Sequence, residues 1–130
     1  MEEKYLVALK AYHNSYAVYS KFQVGACLVL KNGNYIMGTN VENASYGLTN
    51  CAERSALFSA YSQGYRKDDL LELIIMSKNG VSPCGACRQV IIELMNLDAK
   101  VTCCNLSGDG YTIKVSELLP KMFSEADLNE

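Results

Sequence analysis

Three cysteines restrict how this chain can fold more than any other feature of its sequence. Cys84 and Cys87 are separated by two residues, and Cys51 lies far upstream of them, two positions before Glu53. A thiolate pair with this spacing can hold one metal ion, and the third thiolate makes a zinc site with three protein ligands and one position left for water. The fold therefore has to bring two distant segments together around a single ion.

Glu53 gives the predicted metal site a catalytic interpretation. Zinc can lower the pKa of a bound water to about 7, and a carboxylate beside that water can shuttle protons, which contributes roughly 10²–10⁴-fold to a rate. We therefore predict that Glu53 is the catalytic residue of a hydrolase. Arg54 follows it directly, and we expect its guanidinium to hydrogen-bond a zinc thiolate and to draw charge off the metal.

The spacing of Cys51 and Glu53 also predicts where these residues lie. Side chains two residues apart on a helix point roughly 200° apart, so these two cannot face one metal from the middle of a helix. We predict that Cys51 lies at or before the first turn of its helix. Cys84 and Cys87 are predicted to open a second helix, and the free N–H groups at both helix ends would stabilise thiolates.

Other interpretations of these residues remain open. A structural zinc needs four protein ligands, and a redox pair would leave Cys51 and Glu53 without a role. The candidates for a fourth ligand have no suitable spacing; they are Cys27, Cys103, Cys104 and His13. Glu53 and Arg54 would otherwise be ordinary residues of a solvated helix surface.

Composition limits the class of protein. The chain has 130 residues, 49% of them hydrophobic, and a net charge of −2, so we expect one domain over residues 1–130. Lysine and arginine are scattered, which argues against a nucleic-acid partner and favours a compact, uncharged substrate. The apolar stretches are too short for a membrane span, and the N-terminus lacks an apolar signal core. We therefore predict a cytoplasmic protein without a membrane partner, whose six cysteines are metal ligands or free thiols.

Periodicity and turn residues predict eight elements in the order α-β-β-α-β-α-β-β. The predicted helices span residues 2 to about 16, 51–63 and 85–94, and the predicted strands span residues 24–31, 34–41, 70–76, 100–106 and 111–115. Asn32-Gly33 marks a hairpin between the first two strands, and a helical turn is expected over 116–119. Helices that alternate with strands indicate the α/β class, with a mixed sheet covered by helices.

Five segments carry a resemblance to a known family. They are Tyr-Ser-Lys-Phe-Gln-Val-Gly-Ala at 19–26, Asn-Val-Glu-Asn-Ala-Ser-Tyr at 40–46, Cys-Ala-Glu-Arg at 51–54, Ser-Pro-Cys-Gly-Ala-Cys-Arg-Gln-Val at 82–90 and Glu-Leu-Leu-Pro at 117–120. Together they resemble the cytidine deaminases, in the small homotetrameric form with three zinc cysteines. The resemblance implies a three-layer α-β-α fold with a mixed five-stranded sheet, one zinc per subunit, and hydrolytic deamination of cytidine and deoxycytidine in pyrimidine salvage.

The resemblance also implies how a nucleoside would be held. Asn40 and Glu42 would bind the ribose, and an amide and a carboxylate two apart at a strand end do share one side and can pair with sugar hydroxyls. Phe22 would pack on the base, as aromatic faces do. Because such a site leaves polar groups unpaired when the sugar is missing, we expect free cytosine to be a poor substrate.

Further contacts follow from the same resemblance. The backbone N–H of Ala52 would meet the carbonyl of the base, and the backbone carbonyl of either Ser82 or Pro83 would meet its amine. Neighbouring subunits would complete each pocket; the residues at such positions are Ala44, Tyr46 and Phe123.

Competing functions are a deaminase of a cytosine-nucleoside antibiotic of the blasticidin S type, a polynucleotide editor, and a non-catalytic binding module stabilised by zinc. The Asn40 and Glu42 pair favours ordinary nucleosides over the antibiotic, and the charge and short chain argue against the editor. A binding module would need neither Glu53 nor an open coordination position.

Overall fold

A five-stranded sheet organises the computed structural model, which describes residues 1–119. The strands are β1 (Val24–Leu30), β2 (Tyr35–Thr39), β3 (Leu70–Ser77), β4 (Lys100–Cys104) and β5 (Gly110–Lys114). The helices are α1 (Glu3–His13), α2 (Ala52–Ser62) and α3 (Gly85–Leu94), and short 3₁₀ turns lie at Tyr46–Leu48, Lys67–Asp69 and Val115–Glu117. None of the helices within residues 1–119 has the length and apolar character needed to cross a membrane.

The strands lie in the order β2-β1-β3-β4-β5, and the sheet is mixed. β3 and β4 are parallel, while the other neighbouring pairs are antiparallel. A parallel pair needs a crossover connection, and α3 provides it. Helix α1 packs on one face of the sheet, and α2 and α3 pack on the other. The predicted α/β class is confirmed: one mixed five-stranded sheet lies between two layers of helices.

The central strand β3 is buried on both faces over Leu73–Met76, which explains the continuous apolar run there. Leu73 and Ile75 pack into the core beneath α2 and α3, and the alternate residues Ile74 and Met76 pack toward α1. A period of two is what a pleated strand imposes, so each helical layer receives its own set of side chains.

The cysteines outside the predicted metal site are core residues. Cys103 packs in the core beneath α2 and α3, whereas its neighbour Cys104 packs in the α1 layer with Cys27. Adjacent residues of a strand point to opposite faces of the sheet, so the two thiols lie in different layers. Burial raises the pKa of Cys27 to about 12 and that of Cys104 to about 11. All six cysteines are free thiols.

Two glycines allow helices to lie directly against strands. A Cβ atom at Gly25 would collide with the backbone of Ala8 and Tyr12 in α1, and a Cβ at Gly38 would collide with the Ala52 carbonyl and with Ala56 in α2. No side chain fits in these contacts. Gly38 therefore fixes how closely the first turn of α2 approaches β2.

The first helix ends earlier than its sequence predicts, at His13 rather than near residue 16. The backbone of Tyr16 instead pairs with the segment that follows β2. Its N–H donates to the Asn40 carbonyl at 3.0 Å, and its carbonyl accepts the Glu42 N–H at 2.9 Å. Tertiary pairing thus overrides a local helical pattern.

Strand ends differ from the predicted bounds for similar local reasons. β2 ends at Thr39 rather than at residue 41, and Val41 forms only isolated bridges. β4 ends at Cys104 rather than at residue 106, because Asn105 Oδ1 accepts the N–H groups of Ser107 and Asp109 and closes a turn. β5 begins and ends one residue earlier than predicted, and the helical turn at 116–119 is a 3₁₀ turn over Val115–Glu117.

Candidate active site

The topology places the starts of α2 and α3 at the same edge of the sheet. β2 and β3 are both antiparallel to β1, so they run in the same direction and their carboxyl ends meet at one edge. α2 follows β2 and α3 follows β3 along the chain. Ligand sites in open α/β sheets lie at this kind of edge.

The three cysteines of the sequence motif lie at these helix starts. Cys51 is the residue immediately before α2, in extended conformation with φ −80° and ψ 155°, and its carbonyl accepts the N–H of Ser55 at 3.0 Å. Cys84 has the same position before α3, and Cys87 lies in the first turn of that helix. Cys51 therefore precedes the first helical turn, as its spacing to Glu53 predicts.

The donor set fits one zinc ion. The sulfur atoms of Cys51, Cys84 and Cys87 all lie within 4.8 Å of one another, and those of Cys84 and Cys87 are 3.3 Å apart. Among residues 1–119, no fourth His, Cys, Asp or Glu joins this group. Three sulfur ligands with a further open position are the arrangement of a catalytic zinc rather than a structural one.

Electrostatics already favour a thiolate at this cluster. The hydrogen bond with Cys87 and the adjacent Arg54 guanidinium lower the pKa of Cys51 to about 5, while the hydrogen bond with Cys51 and burial raise the pKa of Cys87. Arg54 Nη2 lies 3.2 Å from Cys51 Sγ. The predicted contact between guanidinium and thiolate is therefore present, and its effect on a bound metal stays a prediction.

Glu53 is buried beside the thiols, with only 4% of its surface exposed. Removal from water raises the pKa of its carboxyl group, and the negative charge on Cys51 acts in the same direction. A dication held by the cysteines would act in the opposite direction and favour the carboxylate. Burial next to a cation site can bring the pKa of an acid toward neutral pH, which suits a group that transfers protons.

A cavity of about 310 Å³ opens onto this group. It brings together most of the residues that the sequence predicts for the site; these are Phe22, Asn40, Glu42, Tyr46, Cys51, Ala52, Glu53, Ser82 and Cys84. A wider groove of about 710 Å³ shares Glu42, Cys51 and Cys84 with the cavity and contains Ala44 and Tyr46. Phe123 lies outside the described residues.

The two residues predicted to bind ribose also hold the segment that carries Phe22. Asn40 Oδ1 accepts the Val24 N–H at 2.9 Å, and Asn40 Nδ2 donates to the Phe22 carbonyl at 2.8 Å. Glu42 accepts the N–H groups of Tyr19 and Ser20 at 2.9 and 3.0 Å and the Ser20 hydroxyl. The hydrogen bonds from Ser20 lower the pKa of Glu42. Their contact with a sugar stays a prediction.

The structure distinguishes the two carbonyls that the sequence leaves as alternatives for the amine. Pro83 is buried, and its carbonyl accepts the Arg88 Nε–H at 2.9 Å. Ser82 is exposed and lines the cavity. Because Arg88 occupies the Pro83 carbonyl and Ser82 lines the cavity, we favour the Ser82 carbonyl for this contact, which stays a prediction.

Sequence reasoning missed several residues that line the cavity; they are Ser20, Val24, Thr49, Asn50, Ile75 and Val81. Ser20 lies inside the Tyr-Ser-Lys-Phe motif, so its position next to Phe22 carried a signal. Asn50 precedes Cys51 and pairs through its backbone with Val41 at 3.0 Å in both directions. That pairing is a tertiary contact, which spacing along the chain does not reveal.

Comparisons with known proteins agree with this arrangement. The family model described as "Cytidine and deoxycytidylate deaminase zinc-binding region" matches residues 1–104. A protein named cytidine deaminase from Halalkalibacterium halodurans is 54% identical over 123 residues, which cover 95% of this chain and 93% of that protein. Another from Sporosarcina psychrophila is 47% identical over 120 residues, covering 92% and 88%. The chain is therefore a zinc-binding α/β protein that belongs to the cytidine and deoxycytidylate deaminase family.

Solved structures extend the likeness to three dimensions. The crystal structure of cytidine deaminase from Burkholderia pseudomallei superposes with a TM-score of 0.88 at 44% identity, covering 95% of this chain and all of that one. The cytidine deaminase of Mycobacterium leprae superposes with a TM-score of 0.77 at 35% identity, covering 90% and 94%. The family membership thus applies to nearly the whole chain.

Proposed function

We propose that this protein converts cytidine and deoxycytidine to uridine and deoxyuridine by hydrolysis, with release of ammonia, in pyrimidine salvage. The observation that carries the proposal is the buried Glu53 carboxyl group in a cavity that Cys51 and Cys84 also line. The names of the relatives, which cover nearly the whole chain, support the choice of substrate. No residue on the cavity favours an antibiotic or a polynucleotide over a nucleoside.

The residues act in the reaction mainly by holding protons and orienting the base. A zinc ion held by Cys51, Cys84 and Cys87 would supply the Lewis acidity that activates water. Glu53 takes a proton from the attacking water and gives it to the ring nitrogen of the base. It then takes the proton of the newly added hydroxyl group and delivers it to the amine, which departs as ammonia.

The cavity orients the nucleoside along its wall. Phe22 packs on the base, the Ala52 N–H donates to the base carbonyl, and the Ser82 carbonyl accepts from the amine. Asn40 and Glu42 contact the ribose in addition to their bonds to the segment of Phe22. These roles follow the family resemblance, and the shared cavity supports them.

The proposal extends to the oligomeric state and the cellular location of the protein. We expect a cytoplasmic homotetramer with one zinc per chain, in which Ala44, Tyr46 and Phe123 complete a neighbour's pocket. Tyr46 supports this because 91% of its surface is exposed at the rim of the cavity, which is unusual for a large aromatic residue in a folded chain.

An ultraviolet assay on zinc-loaded protein tests the proposed reaction. Cytidine and deoxycytidine should lose the absorbance of the amino-pyrimidine and release one ammonia per nucleoside. Free cytosine should react far more slowly, because the polar groups that meet the ribose remain unpaired. Zinc-loaded, folded protein that left both nucleosides unchanged would contradict the proposal and favour a binding module.

A further inference from the structure

Arg88 has a set of hydrogen bonds that the proposed mechanism does not use. It lies in α3, one residue after Cys87, and its side chain is half-buried. Its Nε donates to the Pro83 carbonyl at 2.9 Å, its Nη2 donates to the Ser82 hydroxyl at 2.9 Å, and its Nη1 donates to the Leu118 carbonyl at 2.7 Å. One guanidinium therefore joins α3, the cavity wall and the segment that follows β5.

The planar shape of the guanidinium fixes the directions of these three hydrogen bonds. Arginine presents its donors in a rigid plane, whereas the lysine ammonium is a point charge on a flexible stem. Three acceptors held by one plane cannot move independently of each other. Because two of them belong to Ser82 and Pro83, the orientation of this dipeptide is fixed relative to the start of α3.

The consequence concerns Ser82, whose hydroxyl accepts a hydrogen bond from Arg88 while the carbonyl that Arg88 binds belongs to Pro83. Pro83 turns its carbonyl toward Arg88 and is buried, while Ser82 lines the cavity. A backbone carbonyl only accepts hydrogen bonds. It can therefore bind the amino group at position 4 of cytosine, but it has nothing to accept from the carbonyl oxygen that uracil carries there.

We propose that Arg88 is a positioning residue that aims the Ser82 carbonyl and thereby sets the preference of the site for an amino group over a carbonyl oxygen at position 4 of the base. This inference rests on the proposed function, since it assumes that a cytosine nucleoside occupies the cavity. Arg88 itself does not touch the ligand. Its loss should leave the cavity in place and weaken its discrimination between substrate and product.

Equilibrium binding tests this role without depending on turnover. Cytidine and uridine dissociation constants are measured by calorimetry on zinc-loaded protein carrying Glu53→Gln, with and without Arg88→Gln. Arg88→Gln should weaken cytidine about tenfold, the equivalent of one hydrogen bond, and change uridine by less than about threefold. Arg88→Lys keeps the charge and should recover part of the cytidine affinity.

A matched control is Arg66→Ala. Arg66 also donates to two backbone carbonyls, those of Tyr61 and Tyr65, but it does not line the cavity. This variant should leave the ratio of the two dissociation constants unchanged.

The inference is overturned if Arg88→Gln weakens both ligands by the same factor or changes neither. Zinc content and Tm are measured for each variant. If Arg88→Gln does not fold, Arg88→Lys is compared with the parent instead. A ratio of the cytidine and uridine dissociation constants equal to that of the parent then overturns the positioning role of Arg88. Turnover of cytidine by the protein with Glu53 intact is assayed separately. Its absence counts against the proposed function, whereas an unchanged binding ratio counts against Arg88.

Discussion

Arg54 is placed to offset the negative charge of the thiol cluster, and we expect this charge balance to affect how tightly the cluster binds a metal ion. Its Nη2 lies 3.2 Å from Cys51 Sγ, and Arg54 Nε is buried without a hydrogen-bond partner in the described part of the chain. Three thiolates around a dication carry an excess of negative charge, which a neighbouring cation offsets. We therefore expect the side chain to support metal binding without occupying a coordination position.

Arg54→Ala is expected to weaken zinc binding about tenfold or more, within the range found when a residue that supports a metal ligand is removed. The measurement is a competition titration with a coloured zinc chelator on folded protein. Arg54→Lys, which retains a cation, should lose less, and Arg66→Ala should lose nothing. Zinc affinity in Arg54→Ala equal to that of the parent would contradict this role.

Gly38 shows how one element positions another. Its missing side chain lets β2 touch the first turn of α2, where Ala52 and Glu53 lie. An added methyl group has to push this turn away from the sheet, and overpacking of this kind costs about 1–3 kcal/mol. Gly38→Ala should therefore lower Tm, although alanine is otherwise the better residue in a strand.

Gly47→Ala is the matched control, because a Cβ there meets nothing within 4 Å. Thermal unfolding of both variants, followed by circular dichroism, makes the comparison. An unchanged or higher Tm for Gly38→Ala would show that α2 is not held by this close contact.

A partly buried ion pair connects α1 to the sheet. Lys4 Nζ donates to Glu72 Oε1 at 2.9 Å, and Glu72 Oε2 accepts the Thr102 hydroxyl at 2.6 Å. Lys4→Met removes the cation and leaves the buried Glu72 carboxylate with the hydroxyl alone, which should cost about 1–3 kcal/mol. Urea denaturation measures the loss, and Glu72→Gln in the Lys4→Met background should recover part of it. Equal stability of Lys4→Met and the parent would contradict the account.

The same pair predicts a dependence of stability on pH. The hydrogen bond to Glu72 raises the pKa of Lys4 above its ordinary value of 10.5. A raised pKa in the folded state contributes stability that is fully present below the unfolded value and is lost as the pH rises through the folded value. The difference in free energy of unfolding between the parent and Lys4→Met should thus be constant near neutral pH and shrink above pH 10.5. A difference that widened there would contradict the assignment.

The sequence predicts those features that spacing and periodicity encode. Two residues between Cys84 and Cys87, and one between Cys51 and Glu53, are enough to require two helix starts at one metal. The long helices and the buried β3 strand follow from local patterns in the same way. Such features depend on residues that are neighbours along the chain.

Features that depend on contacts between distant segments were predicted poorly. Tyr16 leaves the helical pattern because Asn40 and Glu42 bind its backbone. The preference for the Ser82 carbonyl over the Pro83 carbonyl depends on Arg88, whose side chain turns back to bind the Pro83 carbonyl and the Ser82 hydroxyl. No spacing rule contains these contacts, so the sequence alone leaves both questions open.

Two large apolar side chains of one turn are exposed on the surface of the protein, and one of them, Tyr46, lines the cavity. Tyr46 and Leu48, in the 3₁₀ turn between β2 and α2, are 91% and 70% exposed. We expect neighbouring chains to cover them in a homotetramer, with a sedimentation mass four times the 14.3 kDa of one chain. Leu48→Asp should shift the protein toward smaller species, since it places a charge in the contact. A monomer at all concentrations would contradict the predicted assembly.

The central claim is that the buried Glu53 carboxyl group and the three-cysteine cluster act as one catalytic unit. The most direct test is cytidine turnover by Glu53→Gln at a zinc content matched to that of the parent protein, with circular dichroism to establish the fold. Glutamine keeps the size of the side chain and removes its charge together with its capacity to transfer protons. We predict that this variant binds one zinc, folds normally and loses turnover by roughly 10²–10⁴-fold. Near-parental turnover in the folded, zinc-loaded variant would contradict the claim.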